Sequence, residues 1–232
     1  MRRIARACAI PAALLLGGCD AVKSASDRYN PLVSFESRCE RLPPGQIEIR
    51  QAASPVEVND QMSLGQLSRL AQDNPATHRT LGLTRTELRR DVVIELTGLK
   101  DASGGRSCQR PQLTIELSMV PMTVYLASEL QDNACGRAAV LDHELKHAAA
   151  FRDHLQETAR RLGTELPAVF GQRIIVARDP AAGESQVRRE LQAFMDEFDA
   201  ANALELKARQ AAVDSPDEYA RVSGACGGIR VD

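Results

Sequence analysis

The residues with the most chemical content are the string His143-Glu144-Leu145-Lys146-His147. Two histidines four apart share one face of a helix, where their ring nitrogens can reach a single ion. Glu144 points about 100° further round the axis, so it is not expected to ligate. Beside a metal it would act as a general base, taking a proton from the attacking water and passing it to the leaving amine. Zn2+ is the ion that suits imidazole ligands in such chemistry. The expected reaction is metal-assisted hydrolysis of an amide.

Catalytic zinc takes three protein ligands and keeps one position open. On an unbroken helix Asp153 lies about 9 Å beyond His147 along the axis, too far to be the third. His154 aligns with His143 on the wheel but is also too distant; it reads as cleft wall or a group behind the ligands, or as a solvated surface residue. A carboxylate from a downstream helix fits better. There Val187, Leu191, Phe194, Phe198 and Ala201 form an apolar stripe, with Glu205 in its middle and Glu190 and Glu197 along one margin. An acid on an apolar face needs a partner, either a metal or an ion pair; Glu205 and Glu190 rank ahead of Glu197 as metal ligands. Tyr219, Arg221 and His78 are available as oxyanion stabilisers. Tyr219 is taken because it lies near Cys226, where a disulfide could hold it still.

The elements that must position these residues are legible in the apolar pattern. Between residues 46 and 127 alternation dominates: Ile47 with Ile49, Val56 with Val58, and apolar runs at 92–96, 113–117 and 122–126. A short helix is expected from Ser63 over 64–71, and a turn over 100–105. After Gln131 the period becomes 3.6. Asp132 or Asn133 can cap a helix over 135–162, ended by Gly163 and Pro167. Its expected buried stripe is Leu141, Leu145, Ala148 and Leu155, with His143 and His147 at the border. A strand-like run at 173–177 precedes a second long helix over 184–213, terminated by Pro216. The expected fold is α+β, a small, mostly antiparallel sheet followed by two long helices.

The chain has 232 residues, of which 44% are hydrophobic and 26% charged, so a collagenous or wholly disordered chain is excluded. Lys plus Arg (29) nearly balances Asp plus Glu (31), and aromatics are 3% with no Trp; neither nucleic acid nor an aromatic sugar cleft is expected. Arg2, Arg3 and Arg6, an apolar stretch over 7–16, and small residues after it describe a secretory signal over 1–18. Leu16-Gly17-Gly18-Cys19 resembles the bacterial lipobox, which implies cleavage before Cys19 and its lipidation. Residues 19–37 read as a tether, leaving 38–232 as the domain. Cys39, Cys108, Cys135 and Cys226 then remain, expected as two disulfides of an oxidising compartment with three possible pairings.

A sheet, an HExxH helix and a second helix, in that order, resemble the zincin metallopeptidases, in particular a family of secreted bacterial zinc proteases. The specific likeness runs over 140–151: Val140 and Leu141 match the apolar flank before the motif, and Ala148 and Ala149 the one after it. Lys146 departs, standing where an uncharged residue is usual. This resemblance implies a zinc peptidase with a peptide or protein substrate, and the lipobox likeness implies that an N-terminal lipid carries it on the membrane, on the periplasmic side. Extended substrate would pair with an exposed strand, with 122–126 the expected one. Two other readings compete. One is a catalytically inactive, zincin-like envelope lipoprotein with a binding or assembly role; the other is a metal-dependent amidase acting on cell-wall peptide.

Overall fold

A computed structural model describes residues 33–71, 80–102 and 105–230 of the chain. The signal over 1–18, Cys19, most of the tether and His78 lie outside the described residues. The elements run α1 (Phe35–Glu40), β1 (Ile47–Ala53), β2 (Val56–Met62), α2 (Leu64–Leu70), β3 (Gly82–Lys100), β4 (Ser107–Ala127), α3 (Ala134–Phe170), β5 (Ile175–Ala177), α4 (Pro180–Val213) and α5 (Pro216–Gly224). The α+β class is as expected. The domain begins earlier than residue 38, because α1 buries Phe35 and Cys39 against Leu42 and Cys108.

The sheet is mixed rather than mostly antiparallel. β4 is its spine: β3 runs antiparallel along one side, and β5, β1 and β2 follow one another along the other. β1 and β2 run in the same direction along β4, so both pair with it in parallel. The two runs expected at 113–117 and 122–126 belong to this one strand. Its buried phase moves from Leu113, Ile115, Leu117 and Met119 to Met122, Val124 and Leu126, a slip of one residue at Pro121. Ser54, between β1 and β2, bridges the slip: its N–H donates to Met119 O (3.1 Å) and its Oγ accepts from Met122 N (3.0 Å). Residues 122–126 are therefore paired on both sides and cannot receive a further strand. Two edges carry no further strand among the described residues, that of β3 and the opposite one made by β5, β1 and β2.

α3 is longer than its start and stop signals suggest. Asn133 caps it, its Oδ1 accepting from Gly136 N at 2.8 Å, but Gly163 and Pro167 both lie inside. A mid-helix Gly costs only about 1 kcal/mol, and Pro167 stands within a turn of the helix end. Leu162, Leu166 and Phe170 are all fully buried in the main core. Burying each is worth about 1.5–3 kcal/mol, enough to carry the helix through both residues. The buried stripe is also rotated from expectation: Val140, His143, Glu144, Ala148 and Leu155 face inward, whereas Leu145 is 42% exposed.

α4 starts four residues before its expected boundary, with Asp179 Oδ1 accepting from Ala182 N at 2.8 Å and Pro180 in the first turn. Its inward residues are Val187, Leu191, Met195, Phe198 and Asn202; Ala201 is exposed. Pro216 opens a further helix as well as ending α4. Ser215 caps α5, its Oγ accepting from Glu218 N at 3.3 Å. Disulfides join Cys39 to Cys108 and Cys135 to Cys226. The second ties the far end of α5 to the first turn of α3.

Candidate metal centre

His143 and His147 stand one turn apart on the face of α3 that meets the ends of α4 and α5. Their Nε2 atoms are 3.2 Å apart. Asp214, the residue that ends α4, places Oδ1 3.4 Å from His143 Nε2 and 3.1 Å from His147 Nε2. These three residues form a group that could bind a metal ion.

The donor set fits a tetrahedral ion. Ligand bonds of about 2.0–2.1 Å separate tetrahedral ligand atoms by about 3.4 Å, close to the distances seen. The far nitrogens of both rings are occupied: His143 Nδ1 donates to Glu218 Oε1 (3.2 Å), and His147 Nδ1 donates to Gln210 Oε1 (2.6 Å). That pattern leaves each Nε2 with its lone pair, facing the other lone pair and a carboxylate oxygen. A cation among the three atoms relieves the repulsion. Without one, a proton must serve, and both histidines are accordingly drawn upward in pKa. For His143 the hydrogen bond to Asp214 is the main cause. For His147 burial pulls downward, and the bonds to Asp214 and Gln210 outweigh it. Burial would likewise raise Asp214, but the two histidines hold its carboxyl well below the usual range.

Glu144 lines the same cavity as this trio and is held from the β3 side. Thr84 Oγ1 sits 2.8 Å from its Oε2 and 2.9 Å from its backbone oxygen. Gly82 lies flat against the same carboxylate, where a Cβ would fall 2.6 Å from Glu144 Oε1 and 2.7 Å from Val140 Cγ1. Glycine is required there by this approach. Burial raises the Glu144 pKa, opposed by the Thr84 hydrogen bond. A cavity of about 500 Å³ opens over these groups, walled by Leu81, Gly82, Thr84, Val140 and Val222. His143, Glu144, His147, Asp214 and Tyr219 all line it.

Tyr219, expected from the sequence as oxyanion stabiliser, is at the site. Its ring centroid is 6.0 Å from that of His143, and its hydroxyl hydrogen-bonds Asp214. Burial and the Asp214 charge raise its pKa, so the hydroxyl keeps its proton. Arg221 is engaged outside the cavity, with Glu218 at 2.6 Å and Asp142 at 2.9 Å. Lys146 binds Glu218 at 2.8 Å. Its charge therefore fixes the carboxylate that orients His143.

The carboxylates proposed from sequence as third ligands are elsewhere. Glu205 pairs with Arg209 at 2.6 Å and Arg161 at 3.4 Å. Glu190 pairs with Arg173 at 2.7 Å, and Glu197 is exposed. In each of the first two cases the partner is a guanidinium. Asp153 is exposed as well, while His154 is buried in the core, away from the trio. Asp214, Gln210 and Glu218 escaped sequence reading. The one available signal was Ser215-Pro216-Asp217-Glu218, a helix-start pattern that implies a turn at Asp214 and a third helix after it. No known protein family, curated protein or solved structure matches this chain.

Proposed function

We propose that the protein is a zinc-dependent peptidase of the cell envelope. The observation that carries this reading is the convergence of His143, His147 and Asp214 with Glu144 on one cavity, beside the free edge of β3. His143 Nε2, His147 Nε2 and Asp214 Oδ1 would hold Zn2+. When bound, the ion supplies Lewis acidity to a carbonyl and lowers the pKa of water. Glu144 takes the proton of the attacking water and delivers it to the leaving amine. Thr84 and Gly82 keep its carboxylate in place. Tyr219, protonated and adjacent, donates to the developing oxyanion. An extended peptide pairs with the backbone of β3 rather than with 122–126, and so lies across the cavity. Lys146 does not argue for an inactive scaffold, because it acts behind His143.

Two disulfides are consistent with an exported protein, and no helix among the described residues is long and apolar enough to cross a membrane. Lipidation at Cys19 would supply the anchor. The test is Glu144→Gln: hydrolysis of a peptide library falls by 10²-fold or more while zinc content is kept. Wild-type rates in this variant would overturn the mechanism.

A further inference from the structure

A second cavity, of about 440 Å³, lies between β3, α3 and α4 and shares no lining residue with the first. Its volume is in the range of small-molecule sites. Leu88, Leu117, Leu162, Met195, Phe198 and Leu206 make its walls apolar. His154 also lines it, about 10 Å along α3 from His147 at 1.5 Å per residue. His154 is only 1% exposed, yet neither ring nitrogen has a hydrogen-bond partner among the described residues. Buried polar groups are almost always paired, so such a residue calls for an explanation. The polar neighbours do not supply one. Thr158 Oγ1 donates to His154's backbone oxygen (2.8 Å) and contacts Asn202 Oδ1 (3.0 Å). Arg90 holds Asp199 through both carboxylate oxygens at 2.6 and 2.7 Å.

We propose that this cavity is a binding site for a neutral, apolar compound carrying one hydroxyl, a phenol being the simplest, with His154 as its polar contact. The chemistry selects that class. A neutral imidazole offers one donor and one acceptor, and a hydroxyl can meet either. A hydrocarbon would leave both nitrogens unpaired. A carboxylate would enter an apolar cavity whose lining cation, Arg90, is already paired with Asp199, while Arg161 and Arg209 nearby are paired with Glu205. The site stands apart from the peptidase reading.

The test titrates the purified full chain with 4-ethylphenol and with ethylbenzene, following the His154 ring nitrogens by NMR and affinity by calorimetry. The phenol binds saturably, at least fivefold more tightly than ethylbenzene, and shifts the His154 resonances. His154→Leu removes the preference. Ala203→Trp, at an exposed position on the cavity's lining, blocks both ligands without altering the circular dichroism spectrum. Equal affinities, no saturable binding, or phenol binding unchanged in both variants would overturn the proposal.

Discussion

At the scale of single residues, the site is built from short carbonyl and carboxylate contacts that decide which nitrogen of each histidine is free. Glu218 is the most heavily loaded of these groups, accepting from His143, Lys146 and Arg221. Its carboxyl is held far below the usual range, chiefly by Arg221 and then Lys146, so it remains an acceptor at any working pH. Partners of this kind are worth 10–100-fold in metal affinity. Glu218→Gln should therefore weaken zinc binding by about that factor, measured by competition with a chelating dye, while far-ultraviolet circular dichroism stays unchanged. The pair His143 and His147 was legible in sequence because a spacing of four is a local property of a helix. Asp214 was not, since it lies 67 residues beyond His147. Only the packing of α4 on α3 brings the two together. Glu205 misled for a related reason: the buried face of α4 passes through Met195 and Asn202, which leaves Glu205 beside Arg161 and Arg209.

At the scale of elements, α3 serves both cavities, and His154 is the cost of the second. Its pKa is lowered, first by burial, with Arg209 and Arg161 adding to the shift and Glu205 and Glu157 opposing it. A histidine whose folded pKa lies below its unfolded value of about 6.5 is protonated more readily in the unfolded chain. It therefore removes stability as pH falls below about 6.5, and none above. Urea denaturation at pH 7.5 and pH 5.5 should show a smaller loss in His154→Leu than in wild type. The comparison isolates this residue from His143 and His147, whose shifts run the other way. At pH 7.5 the leucine variant should be more stable by about 1–3 kcal/mol, since it no longer buries an unpaired imidazole. Element types were largely readable from periodicity, including the short helix after Ser63, whose capping box is formed. Lengths were not. Gly163 and Pro167 are stop signals that the burial of Leu162, Leu166 and Phe170 overrides, and Pro121 marks a phase slip within β4 rather than its end.

At the scale of the whole molecule, α3 and the corner between α4 and α5, far apart in sequence, are held around one candidate ion site. α5 buries no residue completely; the Cys135–Cys226 bond and its polar contacts with α3 hold it in place. Folding and metal binding should therefore be linked. At a free zinc concentration of 100 times Kd the native state gains about 2.7 kcal/mol, so a strong chelator should lower the Tm of wild type and leave that of His143→Ala unmoved. The class of the fold followed from the order of periodicities, whereas the mixed sheet did not, because alternation says nothing of strand direction. The most direct test of the account is zinc stoichiometry by elemental mass spectrometry on wild type, Asp214→Ala and Glu205→Ala. The account predicts about one zinc per chain in wild type and Glu205→Ala, and its loss in Asp214→Ala. Zinc retained in Asp214→Ala, or absent from wild type after incubation with the metal, would contradict it.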